Sequence, residues 1–343
     1  MRVRTIVTAA ATLGFIGGLA TVEAARPHLN PMVDLLANKQ PVFGLYVPSN
    51  PRGGGRAGAP APAPATPAPV KTPAELAKDA LAAPSDFIFD GSMEGGVDAR
   101  LPAFTTMLGA LSDNGLLVKS PSPHFSHSIV VKMQLIGTNY AKATEAIGKQ
   151  LDAGVTTIMF VGTESAAEVS AGLKAMRYKK QGGTRGDSVG NAPKIWGLSE
   201  SEYKKRADLW PLNKGGELVN WTIVESKEGL AHVREIAAVK GIGVLWPGAG
   251  TLRGVFSNPK IGADGKPEIG PNGRGVMVPD PVGWEAAIQQ VLSACKEFNL
   301  PCGYPSNTAE DMEMRYTQGF RVFVGGWGDA GTKMVERGRE LRK

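Results

Sequence analysis

The sequence predicts an α/β protein with a (β/α)8 barrel as its architecture. Short β-rich runs alternate with helical patterns from Pro41 onward, and this alternation is typical of a parallel sheet. The runs number eight, which favours a closed barrel over an open sheet, and the 343 residues exceed the roughly 250 that a barrel usually needs. An open doubly wound sheet is the alternative. It is disfavoured because no Gly-x-Gly-x-x-Gly opens a helix after the first strand.

The predicted strands and helices follow one another along the chain. The strands lie at Val42–Val47, Asp86–Asp90, Ile129–Met133, Thr157–Val161, Trp221–Glu225, Gly243–Trp246, Cys302–Tyr304 and Arg321–Val324. Clear helical patterns between them include Asn139–Leu151, Ser165–Met176, Glu228–Ala238, Val282–Phe298 and Ala309–Gln318.

The first 24 residues have the features of a secretory signal peptide. Arg2 and Arg4 precede a weakly apolar stretch, and Val22-Glu23-Ala24 fits the rule for a cleavage site. We therefore expect a mature protein of residues 25–343, a single barrel domain that is periplasmic or secreted. No second apolar span follows, so we expect no stable membrane insertion after processing. An uncleaved membrane anchor is the alternative.

Two segments interrupt the alternation of strands and helices. Residues 50–72 are rich in Pro, Ala and Gly, which predicts a mobile loop of extended character. Residues 257–279 contain Asp264-Gly265 and Asn272-Gly273, and both dipeptides indicate hairpin turns. Each insertion follows a predicted strand, so it lies at the end of the barrel where active sites are found. A lid and a surface insertion both fit these segments.

Charge and cysteine content exclude two classes of function. The formal charge is +6, but the basic residues form no block or aromatic-interleaved stripe, so we expect no nucleic acid partner. Cys295 and Cys302 are the two cysteines, and without clustered histidines they argue against a structural zinc site. A disulfide between them and a pair of buried thiols both fit an exported protein.

Several segments, in the same order along the chain, resemble the HpcH/HpaI aldolase/citrate lyase family. The similar segments are Asn30-Pro31, Phe43-Gly44, Asp86–Asp90, Val130–Met133, Leu151–Val155, Met176-Arg177-Tyr178 with Gly183–Gly186, Val224–Gly229, Gln318–Phe320 and Asp329. The resemblance implies a barrel like the phosphoenolpyruvate/pyruvate domain, and a homo-oligomer. It also implies a metal-dependent carbon–carbon lyase that acts on a small anionic substrate through an enolate.

The resemblance carries over to individual residues only in part. Glu225 matches the first metal ligand of the family, and a Glu at the end of a buried strand suggests function by its chemistry alone. The family's second ligand is an Asp, and Gly250 stands in its place. Gly95 stands where a His is expected, and Lys132 replaces an Arg that binds substrate. Lysine can hold a carboxylate as a point charge but not in bidentate fashion.

The remaining candidates complete the predicted site. Asp90 and Glu94 are candidates for acid–base work or water-mediated metal ligation, and Arg185 matches the Arg of a family loop. Lys132 and Arg185 are expected to face the substrate anion, and Glu225 to hold a divalent cation, Mg²⁺ or Mn²⁺. The predicted function is an aldol-type lyase of a small 2-oxo or hydroxy acid. The alternative is an exported binding or scaffold protein that has lost lyase chemistry.

Overall fold

The protein is an α/β fold built on one curled parallel sheet. The computed structural model describes residues 28–50, 69–119 and 121–342, so residues 1–24 and most of the 50–72 insertion lie outside the described residues. The eight main strands are β1 Val42–Tyr46, β2 Phe87–Asp90, β3 Ser128–Lys132, β4 Thr157–Phe160, β5 Leu218–Val224, β6 Val244–Pro247, β7 Gly303–Pro305 and β8 Val322–Gly325. They pair in the order β7-β8-β1-β2-β3-β4-β5-β6. Each overlaps a run that the sequence predicts as a strand, with bounds that differ by one to three residues.

The two ends of the sheet, β6 and β7, come together. The Leu245 amide donates to the Pro301 carbonyl at 3.0 Å, and an isolated parallel bridge joins Leu245 to Cys302. A disulfide links Cys302 to Cys295 with a Cα–Cα distance of 5.6 Å. The structure therefore resolves the cysteine question in favour of a bond, and places that bond beside the position where β6 meets β7.

Side chains alternate between the inside of the curled sheet and the layer of helices, as strand geometry requires. The inner face is apolar and aromatic, with Phe87, Phe89, Trp221 and Trp246 packed together. A side chain on Gly44 would begin 2.2 Å from the Phe87 ring, so β1 can approach β2 only without one. Close packing fills this interior with side chains and leaves chemistry to the ends of the strands.

Helices pack around the sheet and at its amino end. Their bounds are α1 Pro31–Ala37, α2 Pro73–Ala82, α3 Val97–Asp113, α4 Tyr140–Ala153, α5 Ala166–Met176, α6 Ala192–Trp196, α7 Glu200–Arg206, α8 Lys227–Ala231, α9 Val233–Ala237, α10 Ala249–Val255, α11 Pro281–Glu297, α12 Ala309–Gln318 and α13 Asp329–Leu341. Helix α1 closes the interior at the amino end of the sheet, with Met32, Val33 and Leu36 packed against the inner face, and the other helices surround the sheet. The predicted helix Glu228–Ala238 is two short helices, because His232 leaves helical geometry at ψ 12°. No helix among the described residues is long and apolar enough to cross a membrane.

Residues 257–279 form a small antiparallel insertion after α10. Ser257–Pro259 pairs with Met277–Pro279, and two hairpins fill the space between these strands. The predicted turn residues Gly265 and Gly273 have φ of +74° and +73°, a conformation that glycine adopts without steric cost. The dipeptide signals therefore identified both turns correctly.

Candidate functional site

A cavity of about 580 Å³ opens at the carboxyl ends of β1, β2 and β3. Its walls come from the residues that follow β1 and β2 and from the facing turns of α2 and α3. Asp90, Glu94 and Lys132 all line it. Three of the predicted site residues are therefore brought together, at the end of a parallel sheet where ligands usually bind.

Lys132 is the cation of this cavity. Val130, two residues before it, packs inside the sheet, so the alternation of side chains directs Lys132 to the same inner face. Its ammonium Nζ donates to Glu94 Oε2 at 2.8 Å, with side-chain exposures of 19% and 46%. An ammonium has three N–H donors, so this pair leaves two for a bound anion.

Asp90 and Tyr46 complete the polar end of the cavity. One carboxylate oxygen of Asp90, Oδ1, accepts from the Ser92 amide at 2.7 Å, which fixes the side chain at the start of a 3₁₀ turn. Tyr46 packs edge-on against Phe89, with ring centroids 4.8 Å apart. Burial raises the pKa of the Tyr46 phenol, so at neutral pH the hydroxyl is a donor. Tyr46 was not predicted as a site residue, and the available signal was its position as the last residue of β1.

Glu225 lies at the same end of the sheet but outside this cavity. It follows β5, with its side chain between the ends of β4 and β6. A side chain on Gly248 would begin 2.3 Å from Glu225 Cβ, and one on Gly162 would begin 3.7 Å from Oε1. Gly248 thus leaves the space in which the Glu225 side chain sits, whereas a Cβ on Gly162 would only touch its carboxylate.

The position of the missing acidic ligand is also open. Gly250 lies in the first turn of α10, and a Cβ built there meets no atom within 4 Å. Within residues 28–50, 69–119 and 121–342, no group of three or more His, Cys, Asp or Glu side chains is arranged to hold a metal ion. A divalent cation here would rest on Glu225, with water and substrate as its other ligands, as is common for Mg²⁺.

Arg185 is not part of the cavity. Its guanidinium is 2% exposed, lies 4.3 Å from the ring centroid of Tyr178, and donates to Asp152 Oδ1 at 2.7 Å. Asp152 is at the carboxyl end of α4, which leads into the amino end of β4. This position corrects the expectation that Arg185 faces the substrate. The side chain packs against Tyr178 and pairs with Asp152 at the opposite end of the sheet.

Comparison with known proteins supports the fold. No protein family model matches the sequence. An HpcH/HpaI aldolase/citrate lyase family protein from Burkholderia cenocepacia superposes with a TM-score of 0.60 at 18% identity, covering 92% of this chain and 100% of that one. An HpcH/HpaI aldolase from Desulfitobacterium hafniense gives 0.56 at 14% identity, covering 90% and 94%.

The fold is that of the HpcH/HpaI aldolase/citrate lyase proteins. A curated relative adds a match in sequence: the 2-dehydro-3,6-dideoxy-6-sulfogluconate aldolase of Pseudomonas putida is 27% identical over 173 residues. That match spans 50% of this chain and 57% of the relative's length. On this fold Asp90, Lys132 and Glu225 lie at the carboxyl ends of β2, β3 and β5, and Gly250 has no side chain to offer as a ligand.

Proposed function

We propose that this protein is a carbon–carbon lyase of the aldolase type, acting on a 2-oxo or hydroxy acid through an enolate. The observation that carries the proposal is the convergence of Asp90, Glu94 and Lys132 in one cavity, at the active end of a fold shared with aldolases. We further propose that the curled sheet is a complete (β/α)8 barrel. The Leu245–Cys302 bridge between its end strands supports this.

In the proposed site Lys132 binds the substrate carboxylate. Two of its N–H donors are left by the bond to Glu94, so the anion can be held without displacing that carboxylate. A charge-assisted hydrogen bond at the half-buried ammonium fixes the acid end of the substrate. Fixing that end orients the neighbouring carbonyl and the carbon–carbon bond to be broken.

Proton transfer falls to Asp90 and Glu94. In the retro-aldol direction a carboxylate removes the proton of the substrate hydroxyl, and the carbon–carbon bond breaks to give an aldehyde and an enolate. The enolate then takes a proton at carbon to become the 2-oxo acid. Asp90 Oδ2 is available for the first step, because Oδ1 accepts from the Ser92 amide. Tyr46 stands at the same end of the cavity as a donor.

A divalent cation, Mg²⁺ or Mn²⁺, is part of this proposal. Glu225 would hold it: Gly248 gives the Glu225 side chain its place, and a Cβ built at Gly250 meets no atom within 4 Å. When bound, the cation would act as a Lewis acid that stabilises negative charge on the enolate oxygen. One protein carboxylate predicts weak binding compared with a site that has two.

Calorimetric titration with Mg²⁺ and Mn²⁺ tests the cation site, and NMR of proton exchange at C3 of pyruvate tests enolisation. We expect Glu225→Gln to weaken cation binding by about tenfold or more and to abolish exchange, because the amide keeps the shape and removes the charge. Equal binding by wild type and Glu225→Gln would exclude Glu225 as a ligand. Absence of both binding and exchange in the wild type would contradict the lyase proposal.

A second experiment tests whether an added carboxylate strengthens cation binding. Gly250→Asp restores a carboxylate at the open position, and we expect it to strengthen Mn²⁺ binding by roughly tenfold, about 1.4 kcal/mol. Gly254→Asp is the control, because Gly254 lies on the same helix and its Cβ also meets open space. If both variants bind alike, the gain is general electrostatics and not ligation.

Export and assembly also belong to the proposal. We propose that residues 1–24 direct export, and that the mature chain forms a homo-oligomer. N-terminal sequencing of protein recovered from a bacterial host should begin near Ala25, and light scattering should give more than one subunit. An intact Met1 terminus would contradict the first expectation, and a monomer would contradict the second.

A further inference from the structure

The cavity is much larger than the smallest acid that its charged end could bind. Its volume is about 580 Å³. At roughly 30 Å³ for each water-sized group, the six heavy atoms of a three-carbon oxo acid would fill about a third of it. Most of the cavity is therefore left for another part of a ligand.

The elements that line the cavity differ in chemistry. The charged groups Asp90, Glu94 and Lys132 gather at the ends of β2 and β3. A hydrocarbon wall is supplied by the first turn of α2 and the middle of α3: Pro73, Leu76, Phe104 and Met107. Phe104 is 4% exposed, and Met107 packs against the main core, so this wall is anchored to the fold.

We propose that the substrate is an oxo or hydroxy acid with a bulky apolar group, and that Leu76 and Met107 determine this specificity. The inference rests on the proposed function, since the acid end must lie at Lys132. With the acid fixed there, the rest of the substrate extends between α2 and α3. Each methylene group buried against this wall strengthens binding by about fourfold. Leu76 and Met107 contact the apolar group and not the reacting atoms.

Two exposed alanines on α3 allow a matched test. Ala103 lines the cavity, whereas Ala99, one turn earlier, lies outside it; both are exposed to solvent. Ala103→Trp fills the apolar end without touching the charged end. Ala99→Trp adds the same ring to the same helix and leaves the cavity as it is. Neither change enters the core, so folding is preserved in both.

The experiment measures calorimetric affinity and C3 proton exchange for pyruvate and 4-methyl-2-oxopentanoate, with Mg²⁺ present. The second acid has three more carbons, so the wild type should bind it at least about tenfold more tightly. Ala103→Trp should remove that preference and leave pyruvate affinity unchanged, and Ala99→Trp should behave as the wild type.

Each outcome bears on a different claim. Equal affinity of the wild type for the two acids, or binding of neither, would overturn the inferred specificity. A preference that survives Ala103→Trp would overturn the placement of the apolar group. Preferential binding that Ala103→Trp removes, without proton exchange, would support the specificity and contradict the lyase chemistry.

Discussion

The two ends of the strands use charge in opposite ways. At the carboxyl end, Lys132 and Glu94 form a pair in which the carboxylate is 46% exposed. At the amino end, Glu217 is 1% exposed and accepts from the amides of Leu29 and Asn30 at 3.1 and 3.0 Å, and from Arg206. The buried carboxylate is fully occupied, whereas the exposed pair keeps donors available. The charges at the amino end therefore stabilise the fold, whereas the charges at the carboxyl end are free to bind a ligand.

The amino-end cluster joins segments that are distant in sequence. The Asn30 side chain donates to the Glu217 carbonyl at 2.9 Å and accepts from the Ser128 hydroxyl at 2.5 Å. These bonds fix the entry to α1, whose Met32 and Leu36 close the apolar interior of the sheet. A buried group with this many partners is costly to truncate, because every donor loses its acceptor at once.

Glu217→Gln should therefore have the largest effect on stability. We expect a loss of about 3 kcal/mol or more in the free energy of unfolding, since it leaves Arg206 without a compensating charge. Glu200→Gln is the control: it removes an exposed pair with Lys204, and should cost less than about 0.5 kcal/mol. Urea unfolding measures both. A similar small loss for both variants would remove the distinction between the two ends.

Lys132→Met should affect activity much more than stability. It should lower kcat/KM for proton exchange by about 10- to 100-fold, because a hydrogen bond to a charged group contributes about 1.5–3 kcal/mol. Stability should change little, since Glu94 stays solvated. Lys149→Met is the comparison, because it also breaks lysine–carboxylate pairs but lies at a surface site, on α4. Unchanged exchange in Lys132→Met would show that Lys132 does not bind substrate.

The smallest expected effect is a pH dependence at the amino end. Glu217, 3.4 Å from His28 Nδ1, raises the pKa of that imidazole, and Asp34 adds to the rise while burial and Arg206 oppose it. A raised pKa stabilises the fold below the unfolded value of about 6.5, and the contribution is lost as pH rises through the folded value. His28→Gln should therefore cost up to about 1 kcal/mol at pH 5.5 and little at pH 8.5.

Urea unfolding at pH 5.5 and 8.5 checks this prediction. The titration of Glu217 does not interfere with the comparison. The pKa of Glu217 is held below its ordinary range: burial opposes ionisation, but His28, the Asn30 amide and Arg206 outweigh it. Its own contribution is present above the ordinary carboxyl pKa and is lost only as pH falls below it, so it does not vary between pH 5.5 and 8.5. An equal cost of His28→Gln at both values would show that the imidazole is not charged in the folded protein.

The sequence placed each main strand because local patterns are sufficient for that. Buried parallel strands are short apolar runs between turn residues, and they require no knowledge of distant contacts. The same holds for the turns at Gly265 and Gly273, where φ is positive and the dipeptide alone indicates the geometry. The short helices α6 and α7 are not among the helical patterns named from the sequence, and neither is long enough to show a helical period.

The candidate site was predicted only where position along a strand decides it. Residues at the ends of adjacent parallel strands meet, so Asp90, Glu94 and Lys132 could be grouped from sequence. Arg185 could not be placed, because its partner Asp152 lies 33 residues earlier, on the far side of β4 and α5, and their contact depends on how these elements pack. The amino-end cluster of Asn30, Ser128 and Glu217 was not predicted, because its three residues are distant in sequence and meet only in the folded chain.

By itself, then, the sequence determined the alternation of strands and helices and the charged groups at the carboxyl ends. Tertiary structure decided the rest: the Cys295–Cys302 bond, the burial of Arg185 away from the cavity, the open space at Gly250 and the apolar wall of the cavity. These features depend on which distant side chains share a volume. That is set by packing of the whole chain, and local propensity carries no information about it.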